Sequence, residues 1–415
     1  MMTGASTGPH YSLPKHQASM LTRHTRHWLP FTQMDAFDAP ARTFVRGDGN
    51  YLEDARGRRV FDAVSSIWTT IHGHGHPRIV EAIALQASTL DHATSLGATN
   101  LPADELADRL CALTVTDAAF FASDGASAVE AALKMALQYW QNAGEPKRTR
   151  FVRLAGSYHG DTVGAMSVSD IAVFKARFGA VTFETYAYDD AASAVAQDDV
   201  AAVIVEPLVQ AAAGIRLVAA ERYEPLRAMR PLLIVDEIAT GFGRTGTMFA
   251  HERLGLHPDL ICVGKGITGG ALALSAVLAR QPVYDAFLGA PADLKQFFHG
   301  HSYAGNPIAC AAALASLDIF EREATLAHVA SLLPHVAARL DRIRSHPHVR
   351  DARHLGLMAA VELDGVVAWD VANALYERGC FTRPIGDAIQ FVPPLSTTPA
   401  EVDAFFDALE GELPA

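Results

Sequence analysis

Three ionisable residues close three short apolar runs. The runs are 201–205 (AAVIV), 232–235 (LLIV) and 260–263 (LICV), and they end at Glu206, Asp236 and the Gly264-Lys265-Gly266 triplet. Runs of this length, rich in Val and Ile, read as buried strands. In open α/β sheets the ligand site lies beyond the carboxyl ends of the strands, which makes all three residues site candidates. A lysine amine can form a Schiff base with an aldehyde cofactor. An aspartate beyond a neighbouring strand can pair with a protonated pyridine nitrogen, keeping the ring cationic and able to accept electrons from a carbanion. A strand-end polar residue can also do no more than cap a loop, but three in succession weaken that reading.

A phosphate cradle would complete such a site. Asp124-Gly125-Ala126-Ser127 precedes Val129, Leu133, Leu137 and Trp140, which recur at helical spacing. A turn that opens a helix offers free backbone N–H groups and the positive end of the helix dipole to an anion. Ser, Asp and Gly also start helices simply as caps. Tyr158, in Ser157-Tyr158-His159-Gly160-Asp161, can stack on a ring or hydrogen-bond near the reacting atom.

Two other motifs fail on context. Gly241-Phe242-Gly243-Arg244-Thr245-Gly246 fits G-x-G-x-x-G, but Asp236 to Thr240 separate it from its strand and no clear helix opens at Gly246. A Gly-rich loop with tight turns is expected there rather than a dinucleotide site. His72-Gly73-His74-Gly75-His76 has no Cys or acidic neighbour in sequence, so it lacks the ligand count of a zinc site and reads as a turn-rich loop.

The rest of the chain must position these residues. It has 415 residues, 50% hydrophobic and 19% charged, which excludes intrinsic disorder and leaves material for a large core. Its net charge of −12 argues against a general binder of nucleic acid or anionic membrane. The longest apolar runs, 271–279 and 308–317, fall well short of the roughly 18 residues of a membrane span. The four cysteines, Cys111, Cys262, Cys310 and Cys380, make neither a metal knuckle nor a disulfide framework, so a cytoplasmic setting is expected. Alternating strand and helix patterns in the middle predict an α/β fold with a largely parallel sheet covered by helices. Helical patterns dominate from about 317, with strand-like pieces at 358–363 and 388–392, and the N-terminal stretch has strand signals at 51–53 and 60–61. The expected organisation is a mobile tail over 1–20, an N-terminal part of a small domain over 21–75, a large cofactor domain over 76–316 and the rest of the small α+β domain over 317–415.

The stretch 236–246 (DEIATGFGRTG), followed by Gly264-Lys265, resembles the pyridoxal-phosphate signature of class III aminotransferases. The resemblance runs over nearly the whole chain from about residue 21. It implies a fold-type I PLP-dependent transferase, with a mainly parallel sheet of the seven-stranded type. Segments 132–141 (ALKMALQYWQ), 158–167 (YHGDTVGAMS), 264–270 and 299–309 further resemble the branch of the class that aminates 8-amino-7-oxononanoate in biotin biosynthesis.

The resemblance implies a role for each matching residue. Lys265 would hold pyridoxal 5'-phosphate as a Schiff base and move the proton. Asp236 would pair with the pyridine nitrogen. Gly125 and Ala126 would bind phosphate through their N–H groups, and Glu206 would belong to the cofactor site. Tyr158 would stack on the ring and help place the substrate. His301 and Ser302 match a phosphate-binding pair that the family delivers from the neighbouring subunit, which implies a homodimer with shared sites. Arg383 matches an arginine that grips the oxononanoate carboxylate, and Gly300 and Trp68 match residues at the substrate entrance.

The chain also departs from that branch. Phe31 stands where Tyr is usual, in Trp28-Leu29-Pro30-Phe31-Thr32. Ile67-Trp68 replaces a tandem Trp pair, and Ala126 stands where Ser is common. Losing a hydroxyl and an aromatic wall bears on substrate choice, so the donor can be S-adenosylmethionine, lysine or another amine. The alternative readings are a class III omega-aminotransferase or aminomutase acting on a different pair of substrates, and a non-catalytic descendant, which would have lost Lys265 or Asp236.

Overall fold

The computed structural model describes residues 26–36, 42–188 and 197–414. The tail expected over 1–20 lies outside the described residues. At the centre is a seven-stranded sheet. Its strands are β1 (Ala118–Ala122), β2 (Arg150–Leu154), β3 (Tyr186–Tyr188), β4 (Val200–Val205), β5 (Leu232–Asp236), β6 (Leu260–Val263) and β7 (Ser275–Ala279). They lie in the order β1-β7-β6-β5-β4-β2-β3. Neighbours from β6 through β3 run parallel, whereas β7 is antiparallel to both β6 and β1.

Every residue of β4, β5, β6 and β7 is buried. That is why these strands read as continuous apolar runs rather than alternating ones: helices cover both faces of the sheet. β4 pairs with β5 so that Val205 sits opposite Val235, and β5 pairs with β6 so that Asp236 sits opposite Cys262. The register brings the carboxyl ends of the three strands level.

Helix α1 (Gly125–Asn142) follows β1 directly. Asp124 caps it, its side chain accepting from Ser127 N–H at 2.9 Å. Val129, Leu133 and Trp140, three of the four residues predicted from helical spacing, are buried along its length.

N-terminal and C-terminal segments of the described residues meet beside this sheet. Phe44–Asp48, Tyr51–Asp54 and Arg59–Asp62 form an antiparallel meander, and the short strand Cys380–Phe381 joins its edge in parallel, Cys380 opposite Phe61. A separate three-stranded sheet combines Val349–Leu355, Met358–Leu363 and Ala388–Phe391. The expected boundary at 316/317 falls inside the helix Pro307–Arg322. That helix starts earlier than the periodicity suggested, at a side-chain cap on Asn306 with Pro307 in the first turn. One apolar cluster passes through it, from Phe61 and Leu106 to Ile261, Leu317, Phe391 and Phe406.

The loop at 241–246 forms consecutive turns, with φ of 55° at Phe242, 84° at Gly243 and 92° at Gly246. Arg244 is buried within it and donates to the carbonyls of Pro393 and Thr70. Burial pulls its guanidinium down to about 9, opposed by the charge of Asp62. The three histidines of the His72–His76 stretch go to separate partners. His72 bonds Ser316, His74 bonds Asp62 and His76 bonds Glu323. Among the described residues, no helix is long and apolar enough to cross a membrane.

Candidate active site

Two clefts meet at Lys265. The inner one, of about 340 Å³, lies beyond the carboxyl ends of β4, β5 and β6 and at the N-terminus of α1. Gly125, Ala126, Tyr158, Glu206, Asp236 and Lys265 line it. The outer cleft, of about 900 Å³, opens between Phe31, Ile67 and Arg383, with Phe174 and Gln390 on its wall. Trp68, Tyr158 and Lys265 belong to both.

Lys265 follows β6 at a sharp turn. Its φ is 41°, a left-handed value that a side-chain-bearing residue rarely adopts. Its ammonium group lies 4.9 Å from the centroid of the Trp68 ring. Burial lowers its pKa, and the carboxylates of Asp236 and Glu206 oppose that shift. The result favours an amine that loses its proton more readily than a solvated lysine.

Asp236 and Glu206 are both almost wholly buried. One oxygen of Asp236 accepts from Ile238 N–H at 3.0 Å and the other from His159 Nδ1 at 2.7 Å. Glu206 accepts from the N–H groups of Tyr158 at 2.9 Å and Ala211 at 3.1 Å. Burial pushes Glu206 up to about 7, helped by the nearby charge of Asp236 and opposed by His159 and the two backbone bonds. Tyr158 donates from its hydroxyl to Asp161 at 2.7 Å, and burial raises its pKa. Its ring packs edge-on against Phe174, which packs in turn against Phe31.

Arg383 is half-buried at the outer cleft, where burial lowers its pKa. It donates to the carbonyl of Phe31 at 3.3 Å, and among the described residues no carboxylate bonds it. Its fork therefore remains available to an anion.

Gly300, His301 and Ser302 lie elsewhere. None of them lines either cleft of its own chain. His301 packs edge-on against His299, with its Nε2 buried and unpartnered, and Ser302 is exposed. Sequence reasoning missed His159, Phe174 and Gln390. His159 stands next to Tyr158, but its link to Asp236 spans 77 positions.

The profile of the Aminotransferase class-III family matches residues 35–413. The chain is a class III aminotransferase. It is 39% identical to the adenosylmethionine-8-amino-7-oxononanoate aminotransferase of Anoxybacillus flavithermus, over 91% of this chain and 92% of that protein. It superposes with a TM-score of 0.89 on the crystal structure of the enzyme of the same name from Methanocaldococcus jannaschii, at 36% identity, covering 93% of this chain and 97% of the other. An amine transaminase from an uncultivated Pseudomonas species, solved in its PLP-bound form, gives a TM-score of 0.86 at 32% identity, covering 94% of this chain and 98% of that one.

Enzymes of this family use pyridoxal phosphate, and the inner cleft of this class III aminotransferase fits that group. The fit rests on its donor set: a lysine amine, a buried carboxylate, and backbone N–H groups at the start of an 18-residue helix. The backbone there is closely packed. A Cβ on Gly125 would come within 2.9 Å of Ile238, and one on Gly160 within 2.5 Å of Ala126.

Proposed function

We propose that this class III aminotransferase transfers an amino group to 8-amino-7-oxononanoate, giving 7,8-diaminononanoate in biotin biosynthesis. The observation that carries the reading is Lys265 standing at the shared wall of the inner and outer clefts. The names and near-full coverage of the relatives support it.

Bound pyridoxal phosphate supplies a ring that accepts the electron pair left on the substrate carbon when its proton departs. The chain's own residues do the rest. Lys265 would hold the group through its amine and would carry a proton to and from the reacting carbon. Its lowered pKa suits a base. Asp236 holds a proton on the ring nitrogen, and His159 and Ile238 N–H keep its carboxylate aimed. The N–H groups of Gly125 and Ala126 take the phosphate. Glu206 and Tyr158 form the remaining walls of the inner cleft. In the outer cleft Phe31, Ile67 and Trp68 supply an apolar lining, and Arg383 grips the acceptor carboxylate through its bidentate fork.

Donor and acceptor would enter the same cleft in turn. Gly300, His301 and Ser302 would reach the site of a second copy, making the functional unit a homodimer with shared sites. The four free cysteines fit a reducing, cytoplasmic setting. Phe31 and Ile67 bear on the donor, which is S-adenosylmethionine, lysine or another amine. A second reading, amine transamination with another keto acid, draws on the likeness to the Pseudomonas enzyme.

The test is a donor screen. Purified protein is mixed with 8-amino-7-oxononanoate and S-adenosylmethionine, lysine or a panel of amines, and the diamine is followed by mass. Diamine from at least one donor is the expected result. Protein that carries the cofactor but makes no diamine from any donor would overturn the acceptor assignment. The Lys265→Ala protein is expected to lack the visible absorbance band of the wild type.

A further inference from the structure

Gln390 lies in the strand Ala388–Phe391, is 1% exposed and borders the outer cleft. Its side-chain amide is used in both directions. Oε1 accepts from Trp68 Nε1 at 2.8 Å, and Nε2 donates to the Arg383 carbonyl at 2.5 Å. The partners fix the orientation of the amide, because an indole N–H only donates and a peptide carbonyl only accepts. The Gln390 carbonyl also accepts from the Thr382 hydroxyl at 2.7 Å, next to Arg383 in the chain. Trp68 in turn packs its ring over Lys265. One buried amide thus ties the wall above the reactive amine to the arginine across the cleft.

We propose that Gln390 is a positioning residue that sets the spacing between Trp68 and Arg383, and with it the length of carboxylate substrate the cleft accepts. The proposal rests on the reading of Arg383 as the carboxylate-gripping residue. The side-chain chemistry is specific. Glutamate at this position accepts from Trp68 but repels the Arg383 carbonyl, and methionine offers Trp68 only a weak sulfur acceptor and the Arg383 carbonyl no donor. A buried partner left unsatisfied carries its full desolvation cost.

The experiment uses the cofactor-loaded enzyme and measures the two half-reactions separately, through the cofactor's absorbance. The donor alone drives the first, and acceptors of increasing chain length drive the second. Gln390→Glu is expected to raise the acceptor KM roughly tenfold while the donor half-reaction stays within roughly threefold, as for one buried hydrogen bond left half-made. Gln390→Met is expected to impair both half-reactions and to flatten the dependence on acceptor length. The four indole N–H signals in a 15N spectrum give a readout independent of turnover. The Trp68 signal, identified by its loss in Trp68→Phe, is expected to shift and exchange faster in Gln390→Met but not in Gln390→Glu.

The proposal is overturned if Gln390→Met leaves both half-reactions and the Trp68 signal as in the wild type, or if Gln390→Glu alters both half-reactions alike. Should Gln390→Glu fail to fold, Gln390→Met decides alone. Arg383→Leu separates the two readings. If it leaves the acceptor KM unchanged, the Arg383 assignment fails. If it raises that KM while both Gln390 variants do not, the Gln390 proposal alone fails.

Discussion

Replacing Glu206 by Gln tests the electrostatics of the inner cleft in one step. Glu206 is 3% exposed and its carboxyl is pushed from 4.5 to about 7, mainly by burial. A displacement of that size corresponds to about 3 kcal/mol. The sign follows from proton binding. Between the unfolded and folded values the folded chain holds the extra proton, so stability falls as pH rises through that window. Below about 4.5 both states are protonated and the destabilisation vanishes. Above about 7 both are ionised and it is complete.

The amide of the Glu206→Gln variant would carry no such charge. It would leave one of the two backbone donors, Tyr158 or Ala211, facing an amide NH₂, a loss that does not vary with pH. The difference between wild type and Glu206→Gln therefore isolates the charge. At about 2.1 cal/mol/K of unfolding entropy per residue, 3 kcal/mol in a 415-residue chain is about 3–4 °C of melting temperature. The assay is thermal unfolding of the cofactor-free protein from about pH 4 to about pH 8. The variant is expected to gain on the wild type by that amount across the window. A difference that stays level with pH, or that changes in the opposite sense, would refute the argument.

Two further perturbations address the same cleft. His159→Ala removes a charge-assisted bond from Asp236, of a kind that contributes about 1.5–3 kcal/mol, so kcat at saturating cofactor is expected to fall roughly ten- to hundredfold; an unchanged kcat removes His159 from the mechanism. Gly160→Ala places a Cβ 2.5 Å from that of Ala126, at a φ of 133°, and is expected to weaken cofactor binding at least roughly tenfold in a fluorescence titration. The double variant Gly160→Ala/Ala126→Gly is expected to recover part of that loss.

What the sequence made legible is local. The Val- and Ile-rich runs before Glu206, Asp236 and Lys265 became β4, β5 and β6, because fully buried parallel strands are apolar on both faces and are recognisable without knowing their neighbours. The cap at Asp124 and the apolar spacing of α1 were equally local. What stayed hidden depends on remote pairing. Gln390 meets Trp68 across 322 positions, and Phe174 joins Phe31 and Tyr158 only through tertiary packing. The antiparallel β7 gave no signal of its direction, since a buried strand reads the same either way. The turn at Ser65–Trp68 was hidden for another reason. All four residues have positive φ, from 48° to 67°, and none is the glycine such values favour.

That turn shows how the two halves of the site are joined. A left-handed conformation costs about 1–2 kcal/mol per residue, and here it is adopted four times in succession. Contacts from outside the turn hold it. Ser65 donates to the carbonyl of Val392 at 2.7 Å, Ser66 donates to the buried Asp62 at 2.9 Å, and Trp68 donates to Gln390. Two of those three partners come from the C-terminal part of the chain, more than 320 positions away. The turn sets the Trp68 ring as an aromatic wall beside Lys265, which itself sits at a φ of 41°. The large sheet brings the amine and the carboxylates together, and the paired chain ends supply the wall and the arginine opposite. Strain of this kind persists only where surrounding structure over-determines it, which places the chain ends in the site as much as the strands that carry its ionisable groups.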